Sequence, residues 1–165
     1  MSSPQSHAQP APPTTNTPAT AIGQLAESFV AQWLIQQGWE LVAQRWHCRW
    51  GELDLVMLTP DSGLAFVEVK ARSRGNWDGD GLLAVTPAKQ KKLVQAAQLF
   101  LAEQPQWADV PCRFDVAIVH AQRRPKAHTP KDRDPEAAIA IQVGQPVVVG
   151  AYVLMLQHYI LHAFS

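Results

Sequence analysis

The sequence is short of cysteine and carries no excess of either charge. Its 165 residues include only two cysteines, Cys48 and Cys112, which are too few for a disulfide scaffold or a four-cysteine zinc site. Fourteen Lys and Arg residues balance fourteen Asp and Glu residues, so no overall positive charge points to nucleic acid. Two free thiols fit a reducing compartment, and we expect the protein in the cytoplasm.

Charged residues are also missing from both ends of the chain. Residues 1–20 contain no Asp, Glu, Lys or Arg and include five prolines, so we predict a disordered tail there. The tail lacks the basic start and the apolar stretch of a secretory signal. Residues 147–164 are uncharged as well, but Gln157, His158 and His162 interrupt them and no Lys/Arg pair flanks them. We therefore expect a buried strand and a short C-terminal element there, and no membrane helix.

The remaining sequence predicts one compact α/β domain over residues 21–165. Hydrophobic residues make up 47% of the sequence, which is enough to bury a core. Within this domain, a charged segment broken by prolines at about residues 121–144 is predicted to be a loose insertion.

Hydrophobic periodicity predicts a helix, three strands, a second helix and one or two further strands. The first helix is expected at residues 22–37, and the second begins after the N-cap Thr86 and Pro87. A turn at residues 60–63 suits a hairpin between the second and third strands. The strands are expected at residues 40–47, 52–58, 64–70 and 113–119, with a fifth within 139–156. This order predicts a mixed sheet flanked by helices.

The most informative polar residues lie on the second and third predicted strands. Strand side chains alternate between faces, so Glu52 shares a face with Asp54, and Glu68 shares a face with Lys70. If the hairpin aligns these faces, Asp54, Glu68 and Lys70 converge. Two carboxylates offer the oxygen ligands that Mg²⁺ or Mn²⁺ takes, and a nearby lysine can stabilise a phosphoryl transition state. The alternative is an exposed Glu68–Lys70 ion pair, worth at most about 1 kcal/mol.

Several blocks of the sequence resemble a known family. Asp54 is followed after thirteen residues by Glu68-Val69-Lys70, which resembles the PD…(D/E)xK signature of a nuclease superfamily. Six blocks in order are similar to the bacterial YraN family of predicted endonucleases, itself distantly similar to archaeal Holliday-junction resolvases. These blocks are residues 23–27, 49–56, 66–72, 89–93, 113–116 and 162–164. The resemblance implies a restriction-endonuclease-like α/β fold, with a mixed central sheet flanked by helices.

The resemblance also implies roles for individual residues. Asp54 and Glu68 would bind Mg²⁺ or Mn²⁺, and Lys70 would be the catalytic lysine. Glu27, on the first helix, would be a further catalytic and metal-binding residue. The alternative for Glu27 is an acid in the first helical turn, which the helix dipole favours.

Two further residues keep open alternatives. Glu52 either contacts the metal ligands without binding the cation itself or is the structural partner of a basic side chain. Gln90 either reaches the site from the second helix or is a solvated helix residue.

Basic residues near the proposed site are candidates for contacts with phosphate groups. They are Arg49, Arg72, Arg74, Lys89, Lys91 and Lys92, and Arg45 lies nearby as well. Trp46, Trp50 and Trp77 lie among them and could stack on unpaired bases. The alternatives are a solvated helix face for the lysines and core packing for the tryptophans.

Two functions from different classes follow. The first is a metal-dependent endonuclease that hydrolyses DNA phosphodiester bonds, on branched or single-stranded structures. The second is a nucleic-acid-binding or partner-docking protein that keeps the nuclease fold without turnover. DNA is the expected partner, with RNA as the alternative. No small-molecule cofactor is expected, and a homodimer is compatible with the sequence.

Overall fold

A mixed six-stranded sheet forms the centre of the computed structural model, which describes residues 18–73, 85–125 and 139–165. The chain begins with helix α1 (Pro18–Gln36), followed by strands β1 (Glu40–Cys48), β2 (Gly51–Leu58) and β3 (Leu64–Arg72). Helix α2 (Pro87–Glu103) and a short 3-10 helix (Pro105–Trp107) come next. Strands β4 (Cys112–Arg123), β5 (Val147–Val149) and β6 (Tyr152–Phe164) complete the described elements.

The strands lie side by side in the order β1-β2-β3-β4-β6-β5. Strands β3 and β4 are parallel, whereas the other neighbouring pairs are antiparallel. A parallel pair needs a long crossover, and the segment that contains α2 supplies it. The predicted α/β class with a mixed sheet is confirmed, and the arrangement is consistent with a restriction-endonuclease-like fold.

Each face of the sheet carries its own hydrophobic core. On one face, Phe29, Val30 and Leu34 of α1 are buried with Ala65 and Val67 of β3. On the other face, residues of α2 are buried with the alternate positions of β3; they are Leu93, Ala96, Ala97 and Phe100, packed with Leu64 and Phe66. Alternate residues of β3 therefore pack against α1 on one face and against α2 on the other, as expected of a strand buried on both sides. Trp46 packs edge-to-face on Phe100, which confirms core packing for this tryptophan.

The predicted elements are present, with differences at their ends. Helix α1 begins at Pro18, earlier than the predicted residue 22 and inside the segment predicted as a tail. Thr86 caps α2 as predicted, because its side chain accepts a hydrogen bond from the Lys89 N–H. The rest of the predicted tail lies outside the described residues.

The structure describes both ends of the predicted insertion at 121–144, whereas residues 126–138 lie outside the described residues. Strand β4 continues to Arg123, past the predicted start of the insertion. At the other end, Ile141 is buried, and its N–H donates to Gln36 Oε1 at 2.9 Å. The Gln36 amide in turn donates to the Ile139 carbonyl at 2.8 Å. Gln36 therefore ties the end of α1 to the chain that leads into β5.

The uncharged C-terminal stretch forms two antiparallel strands, so the expectation of a short final element is wrong. Strand β6 is 13 residues long and pairs with β4 along most of its length. Irregularities in this pairing, and the positive φ of 49° at His162, let the strand bend and continue to Phe164. Among the described residues, no helix is long and apolar enough to cross a membrane.

A buried carboxylate fastens β6 to β4. Asp115 is fully buried and accepts hydrogen bonds from the Arg113 Nε at 3.1 Å, the Tyr159 hydroxyl at 2.9 Å and the His162 backbone N–H at 3.0 Å. Burial and the charge of Asp115 raise the pKa of Tyr159, so its hydroxyl remains a donor. The Arg113 guanidinium also lies over the Trp39 ring, at 5.2 Å from its centroid.

Replacement of Asp115 with Asn should lower the free energy of unfolding by about 3 kcal/mol. The change leaves the Arg113 guanidinium without its charged partner and turns one acceptor oxygen into a donor. Urea denaturation measures the effect. Asp109→Asn, the same change at an exposed position, should shift the stability by less than about 0.5 kcal/mol. Equal stability of the two variants would contradict the role of Asp115 in holding β6 to β4.

Candidate active site

The candidate site lies where β2 and β3 separate. The pairing of these strands runs from Leu58 opposite Leu64 to Leu55 opposite Val67. Asp54 is the next residue along β2, and its Oδ2 accepts a hydrogen bond from the Val69 N–H at 2.8 Å. A side-chain carboxylate thus takes the place of a main-chain acceptor. This bond holds Asp54 beside the end of β3 that carries Glu68 and Lys70.

Helix α1 and the start of β2 bring two more carboxylates to the same place. Glu27, Glu52 and Asp54 each have one carboxylate oxygen within 4.8 Å of the others. Glu27 lies in the middle of α1, and the first turn of that helix contains no acidic residue. The interpretation of Glu27 as a first-turn acid is therefore wrong. Three carboxylates this close repel one another unless protons or a cation compensate their charge.

Glu68 is the buried member of the site. Its side chain is 5% exposed, and its Oε1 lies 2.9 Å from Lys70 Nζ and 3.6 Å from Lys89 Nζ. Its Oε2 is also buried and has no hydrogen-bond partner within the described parts of the chain. The Glu68–Lys70 ion pair exists, but the alternative of an exposed pair is wrong because Glu68 is buried. A buried oxygen without a partner costs free energy, and a bound cation would remove that cost.

Burial and mutual repulsion raise the pKa values of two carboxyl groups. Burial is the main cause for Glu27, whose pKa rises to about 7, with repulsion from Glu52 and Glu68 opposed by Arg45. The pKa of Asp54 rises to about 8 because of burial first and the Glu68 charge second, while the Val69 N–H acts in the opposite direction. Without a cation, Asp54 is therefore mostly protonated at neutral pH and Glu27 partly protonated, and cation binding would displace these protons.

Glu52 contacts His47, a residue for which the sequence predicted no role. Its Oε2 lies 2.8 Å from Nε2 of His47, a basic partner of the kind that one alternative proposed. The other alternative also describes part of the surroundings, because Glu52 lies beside Glu27 and Asp54. The tight connection between β1 and β2 places His47 opposite Glu52, and this register is the signal that predicts the contact.

Gln90 fits neither of its two alternatives fully. It is half-buried, and its side-chain amide donates to the Val85 carbonyl at 3.0 Å. This bond stabilises the entry into α2, close to the lysine that reaches Glu68.

The three lysines of α2 have different surroundings. Lys89 reaches Glu68, whereas Lys91 and Lys92 are exposed. A solvated helix face therefore describes Lys91 and Lys92, and only Lys89 lies at the carboxylates.

The arginines and tryptophans expected at a nucleic-acid surface lie on different elements of the fold. Arg49 is exposed, with its guanidinium 5.0 Å from the centroid of the Trp50 ring. Arg72 is half-buried at the end of β3. Arg74 and Trp77 lie outside the described residues.

The raised pKa values predict how stability depends on pH in the absence of divalent cations. For Asp54, the pKa is about 8 in the folded protein and 3.8 as the ordinary value, so the folded state binds more protons between these limits. The free energy of unfolding should therefore fall as the pH rises from about 4 to about 8. Asp54→Asn should be more stable than the native protein at pH 8 by at least about 1.4 kcal/mol, the free energy of one pKa unit.

Urea denaturation in EDTA between pH 4 and pH 9 measures this effect. At pH 4 the advantage of Asp54→Asn should disappear, because the native carboxyl group is then protonated. Asp109→Asn is the control, and its profile should parallel that of the native protein. A native stability that increases between pH 5 and pH 8, with Asp54→Asn parallel to it, would contradict the account of the cluster.

Comparison of the sequence with known proteins shows the family to which the chain belongs. The model of the Uncharacterised protein family UPF0102 matches residues 26–119, a range that contains Glu27, Asp54, Glu68 and Lys70. A UPF0102 protein of Synechocystis sp. is 48% identical over 148 residues, which cover 88% of this chain and 99% of the relative. Another, from Acaryochloris marina, is 42% identical over 154 residues, which cover 87% and 90% of the two chains.

A UPF0102 protein of Thermosynechococcus vestitus is 53% identical over 102 residues, which cover 62% of this chain and 82% of the relative. These matches confirm the YraN-like resemblance of the sequence blocks. The chain belongs to the UPF0102 family.

Proposed function

We propose that the protein is a Mg²⁺- or Mn²⁺-dependent endonuclease that hydrolyses phosphodiester bonds in DNA. The buried Glu68 carboxylate carries this proposal. Its Oε1 lies between two lysines, while its Oε2 has no partner among the described residues. A bound cation would give this buried, unpaired oxygen the partner that it lacks.

The chemistry of the surrounding side chains fits such a cation. Glu27, Glu52 and Asp54, whose carboxylate oxygens converge within 4.8 Å, would hold it, and Glu68, whose charge acts on both Glu27 and Asp54, would complete the set. Hard carboxylate oxygens suit Mg²⁺ and Mn²⁺, whereas zinc sites usually include His or Cys ligands. When bound, the cation would supply a Lewis acid that neutralises charge on the phosphoryl group.

The chain supplies the rest of the machinery through fixed donors. The Val69 N–H orients the Asp54 carboxylate and would hold it in place when a cation binds. Lys70 is about one-third exposed, which lets its ammonium group reach from Glu68 towards solvent. There it would donate a hydrogen bond to a phosphate oxygen as negative charge develops.

Side chains around the site support a polyanionic substrate. Lys70 and Lys89 place two partly exposed ammonium groups beside the carboxylates. Arg49 and Trp50 together present a cation and an exposed aromatic ring, a pair that suits a phosphate next to an unpaired base. We therefore propose branched or single-stranded DNA as the substrate. We place the activity in the cytoplasm, where the thiols of Cys48 and Cys112 would stay reduced.

One observation favours the second function, a nucleic-acid-binding protein without turnover. Lys70 and Lys89 already compensate the Glu68 charge, so the buried acid has positive partners without a metal ion. The two functions differ in whether native protein cleaves DNA once Mn²⁺ is supplied.

A cleavage assay separates them. Native protein with Mn²⁺ should cleave at least one of a panel of labelled single-stranded, flapped and four-way-junction DNAs. Lys70→Met should lower kcat by roughly 10²- to 10³-fold, because it removes a donor to the developing charge. Lys92→Met, a matched change at an exposed site on α2, should retain nearly full activity.

The doubly substituted protein Asp54→Asn/Glu68→Gln tests for contamination. It should be inactive, and activity equal to that of the native protein would assign the cleavage to a contaminant and overturn the proposal. DNA binding without cleavage of any substrate in the panel would favour the second function.

A further inference from the structure

We propose that Lys89 is a catalytic residue that binds the scissile phosphate, and that its contact with Glu68 is the resting position of its side chain. This inference rests on the proposed function. It separates Lys89 from the two neighbouring lysines of α2, and it adds a second ammonium group to the one that Lys70 provides.

The start of α2 fixes the backbone from which Lys89 extends. The Lys89 N–H donates to Thr86 Oγ1 at 3.3 Å, and the Gln90 N–H donates to the Thr86 carbonyl at 2.9 Å. The Gln90 side chain holds the Val85 carbonyl at 3.0 Å. These hydrogen bonds order the first turn, so the Lys89 side chain starts from a defined position beside β3.

The contacts of Lys70 and Lys89 with Glu68 differ in strength. Both ammonium groups approach the same oxygen, Oε1, but Lys70 does so at 2.9 Å and Lys89 at 3.6 Å. The longer distance exceeds that of a hydrogen bond, and 36% of the Lys89 side chain is exposed. A loose ion pair of a partly exposed lysine contributes little free energy. Lys89 can therefore exchange Glu68 for another anion at small cost.

A phosphodiester group is the anion that this position suits. If Glu68 contributes its charge to a cation, its attraction for Lys89 weakens. A phosphate that approaches from solvent would then meet the Lys89 ammonium group and the positive end of the α2 dipole together. Lys91 and Lys92 lie on the same helix but are exposed, and neither pairs with a buried acid in the described parts of the chain.

A purely structural role for Lys89 predicts different measurements. A lysine that only holds Glu68 in place would strengthen cation binding through the orientation of its ligand, and its loss would weaken that binding. A lysine that binds phosphate would instead compete with the cation for Glu68, and its loss would leave cation binding intact or stronger.

The test compares Lys89→Met with Lys92→Met, which removes the same charge from an exposed position of α2. Fluorescence anisotropy with a labelled single-stranded oligonucleotide in Ca²⁺ measures DNA binding without requiring turnover. Calorimetry with Mn²⁺ alone measures cation binding. We expect Lys89→Met to weaken DNA binding by about tenfold and Lys92→Met by about twofold, with Mn²⁺ affinity equal to or above the native value in both. Lys89→Arg, which keeps the charge, should recover most of the DNA affinity.

Two results would overturn the inference. The first is a DNA affinity of Lys89→Met equal to that of Lys92→Met. The second is a tenfold loss of Mn²⁺ affinity with unchanged DNA binding, which would make Lys89 a support for Glu68. A native protein that cleaves no DNA would overturn the proposed function alone, because the binding comparison still decides whether Lys89 contacts phosphate.

Discussion

The repulsion among the carboxylates at the separated ends of β2 and β3 is the constraint on which the site depends. Asp54 occupies the gap between the strands and accepts the Val69 N–H, so a main-chain donor fixes one acid. Two lysines approach Glu68, and His47 lies beside Glu52. These partners compensate only part of the negative charge, as the raised pKa values of Glu27 and Asp54 show. A divalent cation would complete the compensation.

The fold delivers these side chains from elements that are rigid for other reasons. Helix α1 is anchored by the core that it shares with β3, and this packing carries Glu27 to the cluster. Helix α2 connects the parallel strands β3 and β4 and packs on the opposite face of the sheet. Lys89 extends from the capped start of this helix. Far from the carboxylates in sequence, Asp115 fastens β6 to β4 with fully satisfied hydrogen bonds. Asp115, whose oxygens all have donors, is therefore suited to stabilising the fold. The carboxylates of Glu27, Glu52 and Asp54, which lack full compensation of their charge, are suited to binding a cation.

Local pattern in the sequence was enough to predict strands β1 to β4 and the hairpin that places Asp54 beside the strand of Glu68 and Lys70. Alternation of side chains and a hairpin turn depend only on neighbouring residues. The separation of β2 from β3 at Asp54 and the burial of Glu68 depend on packing between distant elements, and no local pattern reports them. The same reason explains the start of α1 at Pro18, the length of β6 and the approach of Lys89 to Glu68.

If the crowded, partly protonated carboxylates form a divalent-cation site, cation binding must release protons, and a count of these protons tests the site most directly. Calorimetric titration of Mn²⁺ at pH 7, repeated in buffers of different ionisation enthalpy, counts the protons released on binding. The account predicts that the native protein binds Mn²⁺ and releases protons at this pH. It also predicts that Asp54→Asn binds more weakly and releases fewer. Absence of Mn²⁺ binding, or equal proton release from the two proteins, would contradict it.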